Sequence, residues 1–160
     1  MVVYLVRHGE ALPKEIDAEQ GLSERGKQNA QRSAALLREI GAHVEWIQES
    51  GKKRATQTAE IMAAAMTPGR PPVQARGLDP MDPVEPVVER LGSLKSDSML
   101  VGHLPFLSRL TSSLITGREE PDVVRFPPAG VACLARDLNR RWILLWMVVP
   151  EILQDSSTES

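Results

Sequence analysis

Residues 2–10 of the chain read Val-Val-Tyr-Leu-Val-Arg-His-Gly-Glu. The chain is apolar or aromatic from Met1 to Val6 and rich in valine, which is typical of a strand covered on both faces. Gly9 then allows the backbone to turn away sharply. Because ligands bind at the carboxyl ends of strands in a parallel α/β sheet, the sequence places Arg7 and His8 where a ligand would bind.

The pair Arg7-His8 has the chemistry of a phosphate site. A histidine can carry a phosphoryl group on a ring nitrogen, and a neighbouring guanidinium can hold phosphate oxygens through two parallel hydrogen bonds. We therefore interpret His8 as a nucleophile beside an anion-binding arginine. The alternative is an ordinary surface histidine and arginine at the end of a strand, and this segment alone does not separate the two.

A second segment adds another arginine. Residues 50–59 read Ser-Gly-Lys-Lys-Arg-Ala-Thr-Gln-Thr-Ala and open a helix that is predicted to continue to Met66. Arg54 lies in the first turns of this helix, where the helix dipole favours an anion. We interpret Lys52 and Lys53 as part of a solvated basic face.

A third segment has the same pattern as the first, an apolar strand followed by a histidine. Residues 98–105 read Ser-Met-Leu-Val-Gly-His-Leu-Pro, an apolar strand followed by Gly-His. Pro105 is placed to start a helix over residues 106–115. The chain has three histidines, and the third, His43, is expected to be exposed.

Together these segments resemble the histidine phosphatase superfamily, also called the phosphoglycerate mutase-like family. The matching motifs are Arg7-His8-Gly9, Arg-Ala-x-Gln-Thr at 54–58, Gly102-His103, and the helix opening at 22–30. The short chain and its Val-Gly-His-Leu-Pro segment are most similar to the bacterial SixA-type phosphohistidine phosphatases. The chain has Ser50-Gly51 where the family often has Ser-Pro, and a glycine is expected to loosen this turn and the placement of Arg54.

The order of elements predicts an α/β protein: a three-layer α/β/α sandwich, phosphoglycerate mutase-like, with a mostly parallel central sheet and a C-terminal antiparallel hairpin. Ser23 is predicted to cap a helix that ends before Gly41, and Asp82-Pro83 to cap and start a third helix whose regular part begins at Pro86. The second hairpin strand is predicted to be covered on both faces because residues 142–146 are apolar.

The predicted elements are helices 24–40, 86–94 and 106–115, strands 44–47 and 73–76, a loop after Gly117, and hairpin strands 131–138 and 142–149. Residues 1–153 are predicted to form a single histidine phosphatase domain, and residues 154–160 a polar, disordered tail.

The resemblance implies a phosphatase that forms a phosphohistidine intermediate on His8. Arg7, Arg54 and His103 would then bind the substrate phosphate and stabilise its charge during transfer, without a metal or another cofactor. The two arginines are expected to favour neutral His8, because they disfavour a third positive charge. Four acidic residues lie near the motifs as candidate proton donors to the leaving group, and each also has an ordinary role in a loop or cap available: Glu10, Asp79, Asp82 and Glu85.

Three functions are compatible with these motifs. The first is a phosphatase for phosphohistidine in a protein partner such as a phosphorelay domain, which requires an open pocket. The second is a phosphatase for small phosphate esters, which requires further basic residues, and Lys14, Arg76 and Arg125 are candidates. The third is a phosphate-binding module without turnover, which an intact His8 disfavours.

Composition excludes other classes. The chain has 160 residues, a net charge of −2 and a pI near 5.9, so a nucleic acid partner is not expected. Cys133 is the only cysteine, so no internal disulfide is possible, and no cysteine and histidine spacing resembles a zinc site. The sequence predicts neither a signal peptide nor a membrane-spanning segment, and we expect a cytoplasmic protein that does not bind membranes.

Overall fold

The structure is a computed structural model that describes residues 1–153. Helices and strands alternate along most of the chain, as the sequence predicts. The strands are β1 (Val2–Arg7), β2 (Trp46–Glu49), β3 (Val73–Gln74), β4 (Ser98–Gly102), β5 (Val131–Arg136) and β6 (Trp142–Val148). The helices are α1 (Glu24–Glu39), α2 (Lys53–Met66), α3 (Glu85–Gly92) and α4 (Phe106–Thr116), followed by a single 3₁₀ turn at Pro150–Ile152. The predicted tail at 154–160 lies outside the described residues.

The six strands form one mixed sheet in the order β3-β2-β4-β1-β5-β6. The first four strands in that order are mutually parallel, β5 pairs antiparallel to β1, and β6 pairs antiparallel to β5. The prediction of a mostly parallel sheet with an antiparallel hairpin at its edge is therefore confirmed.

Two cores cover the two faces of the sheet. Successive strand residues point to opposite faces, so Val3 and Leu5 of β1 pack with side chains of α3 and α4, whereas Tyr4 and Val6 pack with side chains of α1 and α2. All four of these β1 side chains are buried. This arrangement confirms the three-layer sandwich and explains why β1 is an uninterrupted apolar run.

The ends of α1 follow the signals in the sequence. The Ser23 hydroxyl accepts a hydrogen bond from the backbone N–H of Gly26 at 3.0 Å, as an N-cap residue does. The helix ends at Glu39, one residue earlier than predicted, and Gly41 follows with a φ of +73°.

Three local predictions were wrong. Asp82 does not cap α3; its carboxylate accepts the backbone N–H of Asp79 at 2.9 Å and so closes the loop before the helix, which begins at Glu85. Strand β2 lies at Trp46–Glu49, two residues later than predicted, and strand β3 is shortened to Val73–Gln74. Strand β6 is not covered on both faces: Ile143 and Leu145 are 47% and 53% exposed, because this strand forms the edge of the sheet.

No helix within residues 1–153 has both the length and the apolar character needed to cross a membrane.

Candidate active site

Strands β1 and β4 bring the two predicted histidines together. The strands are parallel neighbours in which Arg7 pairs with Gly102, and the backbone N–H of His8 donates to the Gly102 carbonyl at 3.0 Å. His8 and His103 therefore leave the sheet side by side. Their ring centroids are 5.0 Å apart, with the ring planes tilted by 49°.

His8 has a defined ring orientation. Its Nδ1 lies 2.7 Å from the carbonyl oxygen of Gly9, and since a carbonyl only accepts, Nδ1 carries the hydrogen. In the neutral ring, Nε2 then has a free electron pair. Burial, together with the smaller effect of the charges of Arg54 and Arg7, lowers the pKa of His8 to about 4 against the opposing effect of the Gly9 hydrogen bond. The expected influence of the arginines is present, but desolvation is the larger cause.

Arg7 lies half-buried next to His8. One terminal nitrogen, Nη1, donates to the Phe126 carbonyl at 2.9 Å, which fixes the side chain. Its Nε is buried and has no hydrogen-bond partner among residues 1–153. An N–H in such a position is available to an anion, because a buried donor without a partner costs free energy.

Arg54 is in the first turn of α2, as predicted, and α2 is fastened to the loop that follows His8. The Thr58 hydroxyl donates to the Arg54 carbonyl at 2.8 Å and accepts the Gly9 backbone N–H at 3.1 Å. Burial lowers the pKa of Arg54, as it does that of Arg7. The charge of Arg54 acts on both histidine rings, so the four predicted side chains share one site.

His103 is the most enclosed member of the site, with 1% of the residue exposed. Its Nε2 lies 2.6 Å from the hydroxyl oxygen of Ser50, whereas its Nδ1 is buried without a partner in the described part of the chain. Burial lowers the pKa of His103 to about 3, and the charges of His8, Arg54, Lys52 and Arg7 act in the same direction. His103 is therefore neutral over the physiological pH range.

The turn at Ser50-Gly51 is held more firmly than the sequence suggested. Gly51 has a φ of +92°, a conformation that proline cannot adopt and that other residues adopt only with strain. The buried Glu49 carboxylate accepts the Gly51 backbone N–H at 2.6 Å and the Thr56 hydroxyl at 2.9 Å. The expectation that glycine loosens this turn was wrong, because the carboxylate ties both sides of the turn together.

The four acidic candidates occupy different environments. Glu10 is exposed and accepts the Ser23 hydroxyl at 3.0 Å, and Asp82 is engaged in its loop. Glu85 is exposed in the first turn of α3. Asp79 lies 4.0 Å from the ammonium of Lys52, whose charge also acts on His103. Of the four acidic candidates, Asp79 is therefore the one joined to the site by an ion pair, through Lys52.

The further basic candidates do not all lie near the site. Lys14, Arg76 and Arg125 are exposed, as is His43. Arg125 borders a groove of about 840 Å³ that also contacts Arg7 and Phe126. Among residues 1–153 there is no group of three or more histidine, cysteine, aspartate or glutamate side chains arranged to hold a metal ion.

Sequence reasoning did not identify three residues that support the site: Ser50, Glu49 and Thr58. Thr58 is the last residue of the Arg-Ala-x-Gln-Thr motif, so its position in that motif was a usable signal. Ser50 matches the serine of the family's Ser-Pro pattern, but that match does not reveal its role, which, like the role of Glu49, depends on where β2 ends relative to β4.

The fold is that of an α/β protein in which two histidines and two arginines meet at one edge of the sheet, an arrangement whose charge and hydrogen-bond donors suit an anion. The sequence profile of the histidine phosphatase superfamily (branch 1) matches residues 3–83, about half of the chain. The chain belongs to the histidine phosphatase superfamily, and family membership indicates a phosphatase.

The chain is also similar to individual proteins over most of its length. An uncharacterized protein of Picosynechococcus sp. is 33% identical over 125 residues, which cover 74% of this chain and 75% of the relative. The protein histidine phosphatase SixA in complex with tungstate is similar in structure, with a TM-score of 0.83, 24% identity, and coverage of 94% of this chain and 97% of that chain. A candidate phosphohistidine phosphatase SixA from Agrobacterium tumefaciens has a TM-score of 0.76 and 26% identity over 93% of this chain and 97% of its own.

Proposed function

We propose that the protein removes the phosphoryl group from phosphohistidine in a protein partner, through a covalent intermediate on His8. The observation that carries this proposal is the hydrogen bond from His8 Nδ1 to the Gly9 carbonyl. It leaves Nε2 as the unprotonated ring nitrogen beside Arg7, Arg54 and His103. A neutral imidazole with a fixed tautomer is the form of histidine that attacks phosphorus.

In the first step, the Nε2 electron pair of His8 attacks phosphorus, and the bond from phosphorus to the substrate nitrogen breaks. The transferring group carries its charge on three equatorial oxygens. Arg7, Arg54 and His103 would donate hydrogen bonds to those oxygens from positions that are already desolvated, where each donor is worth more than in water. The Gly9 carbonyl would stabilise the phosphorylated ring, because Nδ1 keeps its hydrogen and the ring becomes cationic.

In the second step, water attacks phosphorus on the face opposite His8. The bond from phosphorus to Nε2 breaks, His8 returns to the neutral state, and the proton of the attacking water leaves with inorganic phosphate or solvent. The same arginines hold the phosphoryl group in both steps. Removing either arginine is expected to lower kcat by roughly 10²- to 10³-fold, by analogy with other donors that stabilise transition-state charge.

The chemistry of the leaving group supports phosphohistidine as the substrate. When the distal nitrogen of the substrate ring is protonated, the ring departs as neutral imidazole and needs no acid. An alkyl ester departs as an alkoxide and needs one. Among the acidic candidates, Asp82 and Glu10 are engaged in loop hydrogen bonds, and Asp79 pairs with Lys52 at the outer side of the site. Likeness to SixA proteins supports the same substrate class.

The covalent step is tested by trapping. The protein is incubated with radiolabelled phosphoramidate, quenched, and examined for label that is stable in base and labile in acid. We expect wild-type protein and His43→Ala to be labelled, because His43 is exposed outside the site, and His8→Ala to remain unlabelled. Phosphate release from His8→Ala at the wild-type rate would overturn the covalent mechanism.

A second candidate, hydrolysis of small phosphate esters, is favoured by the position of Asp79 beside Lys52. A series of substrates with poorer leaving groups separates the two: a phosphohistidine-bearing protein domain, an aryl phosphate and an alkyl phosphate. We expect kcat/KM to be highest for the protein domain and lowest for the alkyl phosphate. An alkyl phosphate turned over as well as the phosphorylated domain would favour the ester reaction.

A further inference from the structure

We infer that the Ser50 hydroxyl holds the ring proton of His103 on Nδ1, so that His103 presents a neutral N–H donor to the bound phosphoryl oxygen. Ser50 is then a positioning residue that acts through His103. The inference rests on the function proposed above, since it assigns the form in which His103 meets the phosphate.

The contact between the two side chains is short and places Ser50 on one side of the ring. The Ser50 hydroxyl oxygen and His103 Nε2 are 2.6 Å apart. The same oxygen lies 3.4 Å from the backbone nitrogen of Lys52, whose N–H can only donate. The oxygen therefore accepts from Lys52, and its own hydrogen is available to be donated to Nε2 of His103.

This orientation gives every polar group at the contact a complementary partner. A Ser50 O–H that donates requires an unprotonated Nε2, and a neutral imidazole then carries its single hydrogen on Nδ1. The opposite tautomer would direct two hydrogens toward each other or turn the hydroxyl hydrogen away from the ring. It would also leave on Nδ1 a buried electron pair that accepts no hydrogen bond from the described residues.

The second observation is the unpartnered Nδ1 itself. His103 is 1% exposed, and its Nδ1 has no hydrogen-bond partner among the described residues. Its ring packs against His8, whose Nε2 is the proposed point of attachment of phosphorus. A buried N–H in this position lacks a partner only until an anion binds, whereas a bare electron pair there would repel phosphate oxygens.

His103 also stays neutral, so the position of one proton decides what the ring can do. Burial and the neighbouring charges of His8, Arg54, Lys52 and Arg7 lower its pKa to about 3. A cationic ring would donate from both nitrogens and would not depend on Ser50. A neutral ring donates from one nitrogen only.

The backbone around Ser50 is built to hold this hydroxyl in place. Gly51 turns the chain directly after Ser50 with a φ of +92°, and the Glu49 carboxylate binds the Gly51 N–H on one side and Thr56 of α2 on the other. Ser50 is therefore fixed to both β2 and α2, and its hydroxyl is presented to β4, from which His103 emerges.

The direct test is the tautomer of His103 in the resting protein. Nitrogen chemical shifts of uniformly ¹⁵N-labelled protein distinguish protonated from unprotonated ring nitrogens, and a His103→Gln variant assigns the signals. We expect protonated Nδ1 and unprotonated Nε2 in the wild-type protein and in Ser50→Thr, and a shift of the proton toward Nε2 in Ser50→Ala. Protonated Nε2 in the wild-type protein would overturn the inference, whether or not any variant folds.

Anion binding and turnover supply the second readout. We expect Ser50→Ala to raise the dissociation constant of inorganic phosphate and to lower kcat by about 10- to 100-fold, by analogy with the loss of groups that orient metal-binding histidines. Ser50→Thr should restore both, and Ser93→Ala, at an exposed serine after α3, should leave both unchanged. An unchanged tautomer together with unchanged phosphate affinity in Ser50→Ala would contradict the inference.

These outcomes are independent of the covalent mechanism. If wild-type protein forms no phosphohistidine on His8 while the His103 tautomer and phosphate affinity still depend on Ser50, the proposed function fails and the inference holds for anion binding. If His8 is labelled but the tautomer does not depend on Ser50, the proposed function holds and the inference fails.

Discussion

The α-carbon of Gly26 lies directly against the carbonyl group of Glu10, so closely that a Cβ at position 26 would overlap the carbonyl oxygen. On the other side of the contact, a Cβ on Gly9 would approach the Gly26 carbonyl oxygen to 2.7 Å. The Glu10 carbonyl also accepts the backbone N–H of Ser23 at 3.0 Å. The first turn of α1 is therefore packed backbone to backbone against the loop that carries His8.

Gly26→Ala is expected to lower the free energy of unfolding by about 1–3 kcal/mol, the usual cost of overpacking, although alanine favours a helix intrinsically. Because the clash pushes on the loop after His8, kcat should fall as well. Urea unfolding and steady-state kinetics measure the two effects.

Gly92→Ala is the matched control for this variant. Gly92 is also a helical glycine, but a Cβ there would meet no atom within 4 Å. We expect this change to be neutral or to stabilise the protein by up to about 1 kcal/mol. Equal effects of the two substitutions would show that the contact with Glu10 does not constrain the loop.

Thr58→Val is expected to destabilise the protein by about 1–3 kcal/mol, because it leaves the Gly9 N–H buried without an acceptor while keeping the side-chain volume. Activity should fall too, since this bond joins α2 to the His8 loop. The control is Thr111→Val, at a buried threonine whose hydroxyl donates only to the Leu107 carbonyl within α4. Similar losses of stability and activity in both variants would contradict a special role for Thr58.

The elements that the sequence predicted well are those with local signals. Helix α1 has a capping serine at one end and a glycine at the other, and β1 and β4 are apolar runs that stop at a histidine. The placement of His8 and His103 in one site followed from the general rule that parallel strands present their carboxyl ends at one edge of the sheet.

The features that were missed or wrongly predicted depend on distant parts of the chain. Ser50 meets His103 across 53 residues, a contact that no local pattern encodes. Strand β6 is as apolar as a buried strand, yet Leu145 is half-exposed because coverage of an edge strand depends on how far the helices extend over it. At Gly51 the sequence predicted a loose turn, but the Gly51 backbone N–H donates to the Glu49 carboxylate and this hydrogen bond holds the turn in place.

The pH dependence of phosphoenzyme formation is expected to reveal the depressed pKa of His8. The ordinary value of 6.5 is lowered to about 4, chiefly by burial, so His8 remains an unprotonated nucleophile between those values. We expect the initial labelling rate at subsaturating phosphoramidate, which reports protonation of the free protein, to persist as the pH falls from 6.5 and to decline only near pH 4. A rate that halves near pH 6.5 and tracks a single protonation would mean that His8 is not desolvated in the free protein.

Stability is expected to depend on pH over the same window. The unfolded chain, with histidine pKa values near 6.5, binds more protons there than the folded chain, in which His8 titrates at about 4 and His103 at about 3. The free energy of unfolding should therefore fall as the pH falls from 6.5 toward 3, and these two groups should contribute no slope above 6.5. A His8→Gln, His103→Gln double variant should show a shallower dependence than the wild-type protein in urea unfolding at several pH values, and an equally steep dependence would contradict the depressed pKa values.

Asp79→Asn separates the two candidate substrate classes, because it removes an acid while keeping the shape of the side chain. The Asp79 carboxylate is 55% exposed and 4.0 Å from Lys52, so its loss should cost little stability, less than about 1 kcal/mol. If Asp79 protonates an alkoxide, the variant should lose about 10²-fold or more in alkyl phosphate hydrolysis, the usual contribution of a general acid. Hydrolysis of phosphohistidine should hardly change, because neutral imidazole departs without an acid.

Asp82→Asn is the control, since its carboxylate closes the loop through the Asp79 N–H and should affect both substrates alike. Equal losses on both substrates in Asp79→Asn would assign Asp79 to phosphate binding or loop structure and remove the distinction between the two leaving groups.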